Sequence, residues 1–129
     1  MSKSKILVVD DDPSLSRLLA VILNRVGGYD VCEENRSYAA LATAREFRPD
    51  VVLLDVDMPG KDGGAVAHEL AADDLLRDTP VVFVTSLISA SEAGLRNGAR
   101  YLSKPVDPKR LLETVKALCP RFKREAQAA

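Results

Sequence analysis

The stretch Val51-Val-Leu-Leu-Asp-Val-Asp-Met-Pro-Gly60 runs four apolar residues into two carboxylates and then a turn. Val51 to Leu54 is a short, β-rich run with no polar alternation, the signature of a strand covered on both faces. Two more runs of the same kind flank it in sequence, Lys5 to Val9 (KILVV) and Val81 to Val84 (VVFV). Two weaker ones complete a set of five: Tyr29 to Glu34, which alternates as an edge strand does, and Ala99 to Ser103, which follows a glycine.

Helical patterns fill the intervals. Leu15, Leu18, Leu19, Ile22, Leu23 and Val26 recur at helical spacing, with Asp12 as N-cap, Pro13 in the first turn and Gly27-Gly28 at the end. Ser37 to Phe47 reads as a second helix, Gly63 to about Ala72 as a third, a segment within Ser89 to Asn97 as a fourth, and a fifth opens at Asp107-Pro108 with its stripe at Leu111, Leu112, Val115 and Leu118. Strand and helix alternate five times, so right-handed crossovers predict an α/β, doubly wound five-stranded parallel sheet flanked by five helices.

A chain of 129 residues with 47% hydrophobic content suffices for one domain with a real core. Residues 1–120 are expected to form it, and residues 121–129, which lack apolar periodicity, a tail or linker. Lys plus Arg number 18 against 19 Asp plus Glu, which gives no basic field for nucleic acid or an anionic membrane. The first apolar run is too short for a secretory core or a membrane span, so a cytoplasmic protein is expected. Cys32 and Cys119 stand far apart with a single His in the chain, which supports neither a disulfide framework nor a zinc site.

Ligands of open α/β sheets sit beyond the carboxyl ends of the strands, near the point where strand order reverses. There the first strand ends in Asp10, Asp11 and Asp12, the third in Asp55 and Asp57, the fourth in Thr85 and Ser86, and the fifth in Lys104. With the first and third strands as neighbours, in the order 2-1-3-4-5, the carboxylates converge. Two such charges about 4 Å apart repel by on the order of 4 kcal/mol at an effective dielectric of 20. Lys104 supplies one compensating charge and a divalent cation would supply the rest. Oxygen ligands without His or Cys favour Mg²⁺ or Mn²⁺, and the backbone carbonyl of Asp57, where the chain turns before Pro59-Gly60, is expected to add a ligand. A carboxylate neutralised in this way can attack phosphorus, and Asp55, at the end of the most apolar strand, is the best placed to do so.

In that order, ILVVDDDP, VVLLDVDMPGKDG, VVFVTS and YLSKPV span nearly the whole chain, and together they resemble the receiver domain of two-component response regulators. The resemblance implies a flavodoxin-like fold in which Asp55 accepts a phosphoryl group from a sensor histidine kinase or a histidine phosphotransfer protein. It implies a signalling phosphoacceptor, with self-catalysed phosphotransfer and autodephosphorylation, in place of a conventional enzyme. By the same resemblance Asp11 is a direct Mg²⁺ ligand and Asp10 acts mainly through water. Thr85 is the switch hydroxyl, Lys104 binds the phosphoryl group, Tyr101 is the aromatic switch residue, and Lys104-Pro105 is a cis peptide. Phosphorylation would then shift populations at the surface made by the fourth helix, fifth strand and fifth helix, toward a second copy or a downstream protein.

Two features depart from the family pattern. The stretch from Thr85 to Lys104 is shorter than usual, so the fourth helix is expected to be truncated or displaced. Asp57 adds a carboxylate that can face the phosphoryl group. Blander roles suit other residues: Asp12 as a cap, Asp62-Gly63 as turn chemistry, His68 as an exposed helical residue, and Arg121, Lys123 and Arg124 as a solvated cluster. Two alternatives are a haloacid-dehalogenase-like phosphatase, suggested by DVD after a strand, and a degenerate receiver used as a binding module. Neither GxGxxG nor GxxxxGK[ST] occurs, so nucleotide binding has least support.

Overall fold

The computed structural model describes residues 3–87, 94–96 and 99–120. Its elements are β1 (Lys5–Val9), α1 (Pro13–Val21), β2 (Asp30–Glu34), α2 (Ala40–Phe47), β3 (Val51–Asp55), α3 (Gly63–Ala72), β4 (Val81–Thr85), β5 (Gly94–Arg96), β6 (Ala99–Ser103) and α4 (Pro108–Leu118). Five strands run parallel, in the order β2-β1-β3-β4-β6, which is the expected 2-1-3-4-5 arrangement.

The sheet is also extended at its edge by β5, which lies antiparallel to β6. The expected fourth helix is corrected here: its Gly94–Arg96 portion is strand, and residues 89–93 and 97 lie outside the described residues. The cause is local. Gly94 has φ +110°, far from helical backbone, and Arg96 pairs with Ala99 in the antiparallel ladder; in sequence the two flank Asn97-Gly98, a dipeptide type that favours two-residue hairpins. Of the five helices expected, α1 to α4 are therefore present among the described residues, and the expected fifth is α4.

Helix ends follow the chemistry of their caps. Asp12 Oδ1 accepts from the amides of Ser14 and Leu15 with Pro13 at the first position, Asp62 Oδ1 accepts from Ala65, and Asp107 Oδ1 accepts from Lys109 ahead of the helix that begins at Pro108. Helix α1 widens into a π-type turn over Ile22–Val26, and Gly28 at φ +74° ends it. Ser37–Ala39 forms a 3-10 turn that leads into α2.

Period-two alternation divides the strands between two cores. Ile6, Val8, Val51, Leu53, Val82 and Val84 pack with Leu19, Leu23, Leu111 and Val115 from α1, its π turn and α4. Leu7, Val9, Val52 and Leu54 pack on the other side with Ala40, Ala44, Val66 and Leu70 from α2 and α3. Every residue of β3 is buried, as its unbroken apolar run requires. At about 1.5–3 kcal/mol for each fully buried aliphatic side chain, the two faces fix the strand register that brings the acidic ends of β1 and β3 together.

The return from β3 into α3 depends on Gly63. Its amide donates to the carbonyl of Val56 at 3.1 Å, and a Cβ there would fall 2.5 Å from the carbonyl oxygen of Asp55 and 2.8 Å from Cα of Val56. Both are backbone atoms that cannot step aside. Gly63→Ala is expected to lower the unfolding free energy by about 1–3 kcal/mol, read from urea titration.

Candidate functional site

The carboxyl ends of β1, β3, β4 and β6 gather the charged groups. Asp10 and Asp55 are each 2% exposed, whereas Asp11 stands in solvent. A carboxylate oxygen from each of Asp10, Asp11 and Asp55 lies within 4.8 Å of the other two. Such a set of hard oxygens suits a divalent cation that keeps part of its water shell, so the donor chemistry fits Mg²⁺ or Mn²⁺.

One ammonium answers the acids. Lys104 Nζ donates to Asp55 Oδ1 at 2.9 Å and lies 3.8 Å from Asp10 Oδ2. The lysine reaches them because β6 continues its pairing one residue past its end, the Lys104 amide donating to the Thr85 carbonyl at 2.9 Å. The Lys104-Pro105 peptide that follows is cis. Burial works against its charge, but the hydrogen bond to Asp55 and the charges of Asp10, Asp55 and Asp57 outweigh that and raise its pKa above the ordinary lysine value.

The acids are held by backbone. Asp10 Oδ1 accepts from the Asp12 amide at 2.9 Å, and Asp55 Oδ1 from the Asp57 amide at 3.2 Å. Thr85, 3% exposed, accepts the Leu87 amide on its hydroxyl at 3.1 Å and points that hydroxyl at Asp57 Oδ2, 3.5 Å away. The Asp57 side chain is thus next to Thr85, a contact that spacing alone could not show. Tyr101 lies on β6 opposite Phe83 of β4, their rings stacked at 5.3 Å, and it is half-buried. Asp12 and Asp62 cap helices and His68 is exposed on α3, so these three stay outside the cluster. Neither Cys32 nor Cys119 is in a disulfide; burial, ahead of nearby acids, raises the pKa of Cys32. Among the described residues no helix is long and apolar enough to cross a membrane.

Sequence reasoning missed Asn35. This side chain donates to the carbonyl oxygen of Asp10 at 2.8 Å.

A family model described as the response regulator receiver domain matches residues 6–116. The chain belongs to that family: it is a receiver domain of the two-component response-regulator type. It is 38% identical over 128 residues to the DNA-binding dual master transcriptional regulator RpaA of Synechocystis sp., a match covering 97% of this chain and 53% of RpaA. It is 37% identical over 118 residues to Protein PilH of Pseudomonas aeruginosa, covering 89% of this chain and 97% of PilH. Among solved structures, the chemotaxis response regulator CheY4 of Vibrio cholerae superposes with a TM-score of 0.78 at 30% identity, covering 91% of this chain and 99% of CheY4. The chain thus spans about half the length of RpaA and nearly all of PilH and CheY4.

The electrostatics of the cluster leave a signature in stability. Burial first, then the charges of Asp55 and Asp11, push the Asp10 carboxyl up to about 6, against the hydrogen bond from Asp12 and the Lys104 charge. The folded protein holds that proton more tightly than the unfolded chain does. Ionised Asp10 therefore costs stability above about pH 6, and the cost fades as pH falls toward the ordinary value of 3.8. With chelator present, Asp10→Asn is expected to be more stable than wild type by about 2 kcal/mol near pH 8, and no more stable near pH 4. Urea titrations of both proteins at the two pH values measure the difference.

Proposed function

We propose that residues 1–120 act as a phosphoacceptor in two-component signalling, with Asp55 as the residue that takes the phosphoryl group. The observation that carries this reading is the position of Asp55: buried at the end of β3, paired with Lys104 at 2.9 Å, and grouped with Asp10 and Asp11 in a chain of the receiver family.

In the proposed reaction an Asp55 carboxylate oxygen attacks the phosphorus of a phosphohistidine on a sensor kinase or phosphotransfer protein. The P–N bond breaks, the imidazole leaves with the bonding electron pair, and an acyl phosphate remains on Asp55. Asp10, Asp11, Asp55 and the backbone carbonyl of Asp57 would hold Mg²⁺, which supplies charge neutralisation at the phosphoryl oxygens. Lys104 exchanges its partner, from the Asp55 carboxylate to a phosphoryl oxygen, and Thr85 turns its hydroxyl toward the same group. Tyr101 follows Thr85 inward from its place beside Phe83. The altered face comprises β6, β5 and α4 and addresses a second copy or a downstream protein. RpaA is a DNA-binding regulator about twice the length of this chain, and the near-neutral charge of these 129 residues gives them no basic field of their own for nucleic acid.

Incubation with acetyl phosphate and Mg²⁺, read by intact mass, tests the reading. A single phosphoryl adduct is expected in wild type and none in Asp55→Asn or in excess chelator. An adduct that persists in Asp55→Asn, or sustained hydrolysis of an unrelated phosphomonoester, overturns it.

Asp57 tunes the lifetime of that adduct in this proposal. An exposed carboxylate beside a phosphoryl group contributes about 1 kcal/mol of repulsion, so Asp57→Asn is expected to slow dephosphorylation about fivefold. Decay of the adduct after removal of acetyl phosphate gives the rate, and equal rates reject the role.

A further inference from the structure

Strands β1 and β2 pair in parallel up to Val9 with Glu34, and the Asp10 amide makes the next ladder bond, to the Glu34 carbonyl at 3.1 Å. An evenly spaced parallel ladder would continue with the Arg36 amide donating to the Asp10 carbonyl. It does not. The Arg36 amide turns to Glu34 Oε2 at 3.0 Å, and the Glu34 carboxylate is drawn the same way by Thr43 Oγ1 at 2.6 Å. The ladder therefore stops with one carbonyl short of its donor, at the residue that opens the acidic cluster.

Asn35 fills the gap with a side chain. Its Nδ2 donates to the Asp10 carbonyl at 2.8 Å and to Ser16 Oγ at 2.8 Å. The assignment of nitrogen and oxygen follows from the partner, because a main-chain carbonyl only accepts. Ser16 is fully buried on α1 and reaches Glu33 Oε1 at 3.0 Å, and Glu33 is paired with Arg17 at 3.3 Å. One carboxamide thus ties the end of β2, the start of α1 and the Asp10–Asp11 peptide together.

That peptide matters because Asp11 has no support of its own: its side chain makes no hydrogen bond or ion pair among the described residues, and it is exposed. Where its carboxylate falls is set by its backbone. Resting on the proposed function, we infer that Asn35 is a positioning residue of the cation site: it fixes the Asp10–Asp11 peptide plane, and through it the Asp11 ligand oxygen, by replacing the missing ladder donor.

The test is a Mg²⁺ titration of the unphosphorylated protein followed by amide resonances around Asp11 and Val56, with unfolding midpoints measured in chelator. Asn35→Leu, similar in volume but without a donor, is expected to raise the Mg²⁺ dissociation constant about tenfold. Asn35→Gln, which keeps the amide on a longer arm, recovers part of that loss. Ser16→Ala removes the second anchor of the amide, leaves the bond to Asp10, and raises the constant about threefold. A purely structural role would lower the unfolding midpoint of these variants and leave the Mg²⁺ constant at the wild-type value; that result overturns the inference, as does an Asn35→Gln no better than Asn35→Leu. If wild type itself shows no Mg²⁺-dependent shift at these amides, the cation site falls, and the inference with it.

Discussion

One ammonium faces three carboxylates at the end of a sheet, and much of the local architecture follows from that imbalance. Lys104 reaches Asp55 and Asp10, while Asp11 is left to water. Asp10 responds by holding its proton to about pH 6, which is what a buried acid does when burial and like charges outweigh the help it receives. Burying acids in this way is unfavourable for folding alone. In the proposed function the same repulsion becomes useful, because a divalent cation held by these acids would relieve it and so stabilise the folded protein.

Topology delivers the groups, and sequence pattern delivers the topology. The apolar runs of β1, β3 and β4 have no polar alternation, so both faces must be covered, and that condition nearly forces the doubly wound arrangement. The acids after Val9 and Leu54 then have one place to go. This much of the site was legible because it depends on strand ends, which period and polarity mark clearly. The caps at Asp12 and Asp107 were legible for a similar reason, since a carboxylate one residue ahead of a helix acts on amides close by in sequence; Asp62, read as turn chemistry, is in fact the cap of α3.

What escaped was whatever depended on pairing register or on two segments meeting. The fourth helix was expected from the rhythm of the fold, and Gly94 with Asn97-Gly98 pointed the other way. The hairpin dipeptide is a local signal and could have been weighed above the expected alternation. Asn35 gave no such signal. Its role exists only because the Arg36 amide turns to Glu34, which a sequence cannot disclose without the β1–β2 register. The contact of Thr85 with Asp57 is likewise a meeting of two segments, the end of β4 and the loop after β3, 28 residues apart in sequence.

In the proposed function the groups destined for a phosphoryl oxygen already have partners in the resting protein: Lys104 has Asp55, and Thr85 has the Leu87 amide and Asp57. Activation is then an exchange of partners and not the creation of new bonds, so the two states differ by the small surplus of one set over the other. A small difference is what a population switch needs, since a gap of many kcal/mol would leave one state unpopulated under every condition. The exchange is also mechanically connected to the edge of the sheet. Thr85 and Lys104 are bound through the backbone at the end of the β4–β6 ladder, Tyr101 lies three residues back along β6, and β5 pairs with β6 at Tyr101. A shift of Thr85 or Lys104 therefore acts on a strand whose other side carries β5, the element that stands where a helix was expected. The resting contacts thus link the acidic pocket to β5 through the β4–β6 ladder.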